Sequence, residues 1–170
     1  MTVIETERLI LSHLTPECDA FIFELLNNPT WLEFIGDRGI KNLEDARNYI
    51  LNGPQLSYET NGFGLYLVKL KTDETPIGLC GLIHRDYLEY VDIGYALLPE
   101  YTGKGYAFEA GKATLDYAKN VLKIHPVAAI TTEDNSHSIA LLKKLGLKFD
   151  KKVRFSPNDN EKDELLLFIN

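Results

Sequence analysis

Three β-rich runs, Phe63 to Lys71, Pro76 to His84 and Tyr90 to Leu98, follow one another with only Thr72-Asp73-Glu74 and Arg85 to Glu89 between them. Parallel strands need a crossover of about a dozen residues or more, so connections this short dictate an antiparallel meander. After Pro99 the period changes. Ala107, Gly111, Thr114 and Ala118 fall on one face of a helix reaching about Leu122, and their small side chains suit close packing on a sheet. Pro126 to Thr132 is another apolar strand, with proline at its tolerated first position. Strand, helix and strand in this order form a parallel crossover from the third meander strand.

The flanks supply the remaining elements. Glu7-Arg8-Leu9-Ile10-Leu11-Ser12 reads as a strand, and Pro16 to Asn27 reads as a helix with Thr15 as N-cap, ended by Pro29. Thr30 to Lys41 reads as a loop that carries Trp31, Phe34 and Ile35. A second helix begins after Asn42, which can cap it with Asp45 three residues on, and runs to about Leu51 before Gly53-Pro54 stops it. Asn135 to Leu145 forms a helix with Gly146 as its C-cap, and Lys148 to Arg154 and Glu164 to Ile169 form a final pair of strands. The expected fold is α+β with α/β-type layering: a central, mostly antiparallel mixed sheet of about six to seven strands with helices on both faces. With no repeats, low-complexity tracts or linker, residues 1–170 are expected to form a single domain.

Composition narrows the function. No apolar run approaches the roughly 18 residues of a membrane span, and Met1 to Glu5 lacks a basic region followed by an apolar core, so a cytoplasmic protein without membrane partners is expected. Cys18 and Cys80 stand 62 positions apart and support neither a disulfide framework nor a CxxC site; both read as core thiols. His13, His84, His125 and His137 show no ligand spacing, so no metal is expected. A formal charge of −7 argues against general nucleic-acid binding and favours a cationic partner such as an amine. Lys143, Lys144, Lys148, Lys151, Lys152 and Arg154 with Asp150 nevertheless give +5 within twelve residues. That cluster is either a solvated edge or a local anion site.

Chemistry concentrates in Leu97-Leu98-Pro99-Glu100-Tyr101-Thr102-Gly103-Lys104-Gly105-Tyr106-Ala107, a glycine-rich turn between a strand and a helix. Gly103 and Gly105 let the backbone approach phosphate oxygens, and the unpaired N–H groups and positive end of the following helix favour negative charge. Lys104 can add a phosphate contact. The plain alternative is a loop and cap. A P-loop, GxxxxGK[ST], is absent, and a GxGxxG fingerprint starting at Gly103 would put Phe108 where the third glycine belongs. A Rossmann first strand would also open a βαβ unit rather than follow a meander.

Thr102 to Ala107 resembles the acetyl-CoA signature of the GNAT acetyltransferases: Gln or Arg, two residues, Gly, one residue, then Gly or Ala. Gly105 and Ala107 match, while Thr102 departs, which puts a side-chain phosphate contact from the first position in doubt and leaves the backbone amides. Asn135-Ser136-His137-Ser138-Ile139-Ala140-Leu141-Leu142-Lys143-Lys144-Leu145-Gly146-Leu147 resembles the family's Asn-x-x-Ser helix ending in Lys-Leu-Gly. With Glu-Arg-Leu-Ile-Leu at residues 7 to 11, the similarity covers nearly the whole chain, and the nearest branch looks like the RimJ/RimL-type N-acetyltransferases.

The resemblance implies an N-acetyltransferase that uses acetyl-CoA as cosubstrate, releases CoA, and binds the pyrophosphate through Gly103, Lys104, Gly105, Tyr106 and Ala107. Leu97 and Leu98 complete that cofactor-binding set, with a backbone N–H near Leu98 at the developing oxyanion. Asn135 would bond the pantetheine arm or act as an ordinary N-cap, and Ser138 would lie near the sulfur or serve as a capping serine. Many family members carry a tyrosine seven positions after this asparagine; here Leu142 stands there, leaving Ser138 to meet the departing thiolate. Asp92, on the face of Gly94 and Ala96, reads as a general base or as an exposed strand carboxylate, and Tyr95 and Tyr101 read as packing residues. The expected reaction is direct attack by a neutral amine in a ternary complex, with an α-amine favoured because no strong base is visible. Thr30 to Lys41 and Phe155 to Asn160 are expected to line the acceptor half of the cleft. A catalytically inactive CoA-binding sensor or scaffold is the alternative, a Rossmann-type oxidoreductase is a more distant third reading, and monomer and homodimer stay open.

Overall fold

The computed structural model describes residues 1–154 and 164–170. Its strands are β1 (Thr2–Glu5), β2 (Leu9–Ser12), β3 (Leu65–Leu70), β4 (Pro76–Ile83), β5 (Asp92–Leu97), β6 (Ala128–Thr131), β7 (Lys148–Arg154) and β8 (Glu164–Ile169). They make one eight-stranded sheet in the order β1-β2-β3-β4-β5-β6-β8-β7. The meander is present, with β3, β4 and β5 antiparallel, and β5 to β6 is the parallel step. The sheet thus has one strand more than the upper expectation, because residues 2–5 pair with β2 as an N-terminal hairpin.

The helices are α1 (Asp19–Asn27), α2 (Pro29–Phe34), α3 (Leu43–Ile50), α4 (Leu56–Asn61), α5 (Tyr106–Tyr117) and α6 (Ser136–Lys144). Among the described residues no helix is long and apolar enough to cross a membrane. Several ends follow the sequence. The Asp45 N–H donates to Asn42 Oδ1 at 2.8 Å, and Gly146 at φ +93° closes α6 with Leu147 N–H donating to Leu142 O and its own N–H to Lys143 O.

Three local expectations are corrected. Pro16–Cys18 is a 3₁₀ turn before α1, and Thr15 makes no side-chain capping bond to it. Pro29 starts a helix as well as ending one: Asn28 Oδ1 accepts from Trp31 N–H, and α2 buries Trp31 within what reads as a loop. Gly53-Pro54 does not stop the second helix, because a wide π-type turn over Leu51–Gln55 absorbs the proline and the chain runs on into α4 until Gly62 at φ +78°.

Two apolar clusters flank the sheet. On one face Tyr66, Cys80, Leu82 and Ile93 meet Ala110 and Ala118 from α5 and its extension and Leu142 from α6. On the other, Leu67, Leu79 and Leu98 meet Leu25 and Leu26 from α1 and Ile50 from α3. Burial of each such leucine or isoleucine contributes about 1.5–3 kcal/mol, so both layers hold β5 in place from either side. Gly111 lets α5 approach α6, since a Cβ there would lie 2.9 Å from Leu145 Cδ1. Cys80 is a core thiol as expected, whereas Cys18 is only partly buried.

Candidate active site

β5 and β6 pair at one point, Asp92 opposite Ala128, and make no further pair. The N–H of Leu98 donates to Ile77 O on the β4 side at 2.8 Å, so strand alternation turns the N–H groups of Leu97 and Tyr95 towards β6. A gap therefore opens between the two parallel strands, with a polar backbone edge on its β5 wall. Of the backbone N–H groups near Leu98, that of Leu98 itself is engaged by Ile77 O, and that of Leu97 faces the gap.

The glycine turn stands at the mouth of this gap. Pro99–Tyr101 forms a 3₁₀ turn, and the Thr102 hydroxyl donates back to Pro99 O at 2.7 Å, which gives the departing position of the signature a structural use. Gly103 and Gly105 hold φ +74° and +83°, left-handed conformations that glycine adopts without strain. Glu109 N–H is bonded to Gly105 O at 3.0 Å, so the three preceding helical N–H groups, those of Tyr106, Ala107 and Phe108, lie in the orphan first turn of α5. A Cβ on Gly105 would reach within 3.3 Å of Arg8 Nη2 and fill the space over that turn. The bare cradle fits a diphosphate.

Arg8 joins the site from the opening Glu-Arg-Leu-Ile-Leu motif, which by itself names no role for it. The turn between β1 and β2 brings it to the loop, where its Nε donates to Glu109 Oε2 at 2.6 Å, its Nη1 donates to Lys104 O at 3.1 Å, and its guanidinium lies 4.5 Å from the Tyr106 ring centre. Thr6 Oγ1 and Arg8 N–H both donate to Glu109 Oε1, at 2.6 and 2.8 Å. Burial would push the Glu109 carboxyl up, but these donors and the Arg8 charge hold it below its ordinary value. The signal was present, as Arg8 belongs to the opening motif. The partner about a hundred residues away was not.

Across the gap stands the first turn of α6. Asn135 is its N-cap, with Oδ1 accepting from Ser138 N–H at 3.2 Å; its amide NH₂ is not used in that bond. Ser138 is half-buried, and its Oγ lies 2.8 Å from the Tyr95 hydroxyl, so Tyr95 is more than a packing residue. Burial pushes the Tyr95 hydroxyl up to about 12. Leu142 is buried in the core, and Tyr101 packs against both clusters as expected.

Asp92 is not an exposed carboxylate. It is 1% exposed, at the closed root of the gap, with Arg85 Nε 3.0 Å from its Oδ1. Burial pushes its pKa up to about 6, against the pull of the Arg85 charge and hydrogen bond. Burial also raises Tyr49 while Arg38 and Arg85 pull it back, which brings Arg38 from the Thr30 to Lys41 segment into the same electrostatic neighbourhood. The Phe155 to Asn160 segment lies outside the described residues. In the basic cluster, Lys152 pairs with Glu164 at 3.1 Å, Arg154 with Glu164 at 3.6 Å, and Lys144 lies 4.3 Å from the Phe108 ring centre. These contacts leave it an exposed, partly paired edge.

Residues 8–148 match the acetyltransferase (GNAT) domain family. The chain is a GNAT acetyltransferase. This acyltransferase is 28% identical over 156 residues to YkkB of Bacillus subtilis (strain 168), covering 90% of this chain and 89% of that one. It is 27% identical over 154 residues to the uncharacterized N-acetyltransferase YoaA of the same organism, covering 89% and 86%. Among solved structures, the ribosomal L7/L12 α-N-protein acetyltransferase RimL, in complex with coenzyme A, superposes with a TM-score of 0.83 over 100% of this chain and 97% of its own. At 15% identity that likeness shows the shared fold. Acetyl transfer from acetyl-CoA is the activity of the family to which this acetyltransferase belongs.

Proposed function

We propose that this acetyltransferase moves the acetyl group of acetyl-CoA onto a primary α-amine, of a peptide N-terminus or a small molecule, by direct attack in a ternary complex, as in the RimJ/RimL-type branch. The observation that carries the reading is the parting of β5 from β6 beyond Asp92 and Ala128, with the Gly103–Ala107 turn at its mouth. The bound cosubstrate supplies an activated thioester carbonyl. Backbone amides from Gly103 to Ala107, with Lys104, hold the diphosphate at the positive end of α5. Leu97 and Leu98 line the slot, and the Leu97 N–H is the donor for the carbonyl oxygen as negative charge develops on it. The Asn135 amide bonds the pantetheine arm while its Oδ1 caps α6. Ser138 donates to the sulfur as the C–S bond breaks.

The acceptor enters from the α1–α3 face, where Asp92, at the far end of β5 from Leu97, takes the amine's proton through a chain of waters. A carboxylate with a pKa of about 6 is ionised at neutral pH yet is a weak base. That strength suits an α-amine, with a pKa near 8, better than a lysine-like amine near 10.4. Peptides bearing one free α-amine or one free ε-amine, offered with acetyl-CoA and read by mass spectrometry, test this. Acetylation of the α-amine is expected. Acetylation confined to the ε-amine contradicts the acceptor assignment, and CoA binding without thiol release across a broad amine panel favours a sensor or scaffold.

A further inference from the structure

We propose that Tyr95 is a positioning residue for the leaving thiolate: its hydroxyl donates to Ser138 Oγ and so turns the Ser138 proton towards the place of the departing sulfur. The inference rests on the reading above, in which the C–S bond breaks beside Ser138. Its geometry comes from two elements that meet only in the fold. Tyr95 lies on β5 with Ile93 and Leu97 on the face covered by α5 and α6, and its side chain reaches α6 to place its hydroxyl 2.8 Å from Ser138 Oγ. The next acceptor for the phenol, Ser138 O, is at 3.5 Å, at the limit of a hydrogen bond.

A lone serine hydroxyl is a poor device for recognising developing charge. It has one proton and a free rotor, and in a helix it can turn back on a carbonyl of the preceding turn. Ser138 differs in that its backbone is pinned by Asn135 Oδ1 and one lone pair is offered a phenolic proton. A phenol is a stronger acid than an aliphatic alcohol, so Tyr95 is the natural donor of the pair. With that lone pair engaged, the Ser138 proton is directed away from Tyr95, and hydrogen bonds in series strengthen one another. Leu142, one turn further along α6, is 1% exposed in the core and offers no competing hydroxyl.

The relative acidities decide what kind of chain this is. Burial pushes the Tyr95 hydroxyl up to about 12, far above a thiol's value of about 8.5, so its proton stays on oxygen. Tyr95 therefore acts by hydrogen bonding and transfers nothing. As the C–N bond forms and the C–S bond breaks, the electron pair leaves on sulfur, the proton released by the amine goes to water and through it to Asp92, and the Tyr95 and Ser138 protons remain in place.

The test is the thiol pKa of CoA bound to the protein, read from the ultraviolet absorbance of its thiolate during a pH titration, which needs no acceptor. Wild type is expected to hold the bound thiol below its value in free solution. Ser138→Ala is expected to raise it by about one unit, Tyr95→Phe by about half as much, and Tyr95→Phe in the Ser138→Ala background by nothing further. Calorimetry on each variant gives CoA affinity. A Tyr95→Phe protein that binds CoA normally with an unshifted thiol overturns the inference, as does an equal shift in the Ser138→Ala background. Should Tyr95→Phe not fold, an unshifted thiol in Ser138→Ala overturns it alone. Absence of CoA binding to wild type sinks the reading of the site itself, and the inference with it.

Discussion

Glu109 grips Arg8 at 2.6 Å and thereby ties the β1–β2 turn to the first helical turn after the glycine loop. Both sheet edge and loop are fixed by this one contact, since the same guanidinium donates to Lys104 O. Arg8 is well exposed, so solvent screens the pair and its effect is modest. Arg8→Ala is expected to weaken acetyl-CoA binding on the order of fivefold in calorimetry, with the acceptor KM unchanged. Unchanged cofactor affinity would reduce the contact to a surface ion pair.

The same pair carries a pH signature. Glu109 titrates below its ordinary value of 4.5 in the folded chain, so its contribution is complete above that value and is lost as pH falls through the folded one. The melting-temperature gap between wild type and Glu109→Gln is therefore expected to be widest near neutrality and to close below about pH 4.5. A gap independent of pH contradicts the assignment.

Gly105 tests the cradle. Acetyl-CoA at a hundred times its Kd is expected to stabilise the native state by about 2.7 kcal/mol, read as a rise in Tm. Gly105→Val should abolish most of that rise, because φ +83° excludes a β-branched residue and its Cβ would stand against Arg8 Nη2. A folded Gly105→Val protein with an undiminished rise would put the cofactor elsewhere.

Asp92 tests the base. With a folded pKa of about 6, the ionised form predominates above pH 6, so kcat/KM with an α-amine is expected to fall as pH drops through that value. Asp92→Asn should remove this acid limb and lower the neutral rate, with partial recovery at high pH where the free amine dominates. Wild-type rates at neutral pH in Asp92→Asn would leave the Asp92–Arg85 pair a structural one.

Ser138 tests the leaving group. Loss of a hydrogen bond to developing charge is worth about 1.5–3 kcal/mol, so Ser138→Ala should lower kcat about 10- to 100-fold with little change in acetyl-CoA affinity. Weaker affinity with unchanged single-turnover transfer would mean that the serine only holds the cosubstrate.

What was legible in the sequence is what local chemistry determines. The meander follows from loops too short for crossovers, the end of α6 from Gly146, and the start of α3 from Asn42 and Asp45. The helix over Ala107, Gly111, Thr114 and Ala118 follows from their spacing, and the last three of these are buried. The rest depends on distant partners. β1 is short and half-exposed, α2 starts on a proline, α4 continues α3 across the turn that holds Pro54, and Arg8 finds Glu109 across 101 positions. Tyr95 reads as packing because its partner Ser138 lies 43 residues ahead, and Asp92 can be told from an exposed carboxylate only once both faces of β5 are seen to be covered.

The parted strands β5 and β6 are the proposed seat of the cosubstrate, and a crystal structure of the protein with acetyl-CoA shows whether it binds there. The expected electron density runs from a diphosphate on the Gly103–Ala107 amides into the gap beyond Asp92 and Ala128, with the thioester oxygen at the Leu97 N–H and the sulfur beside Ser138. Density for the pantetheine arm outside that gap, with the Leu97 N–H turned to another partner, would overturn that placement.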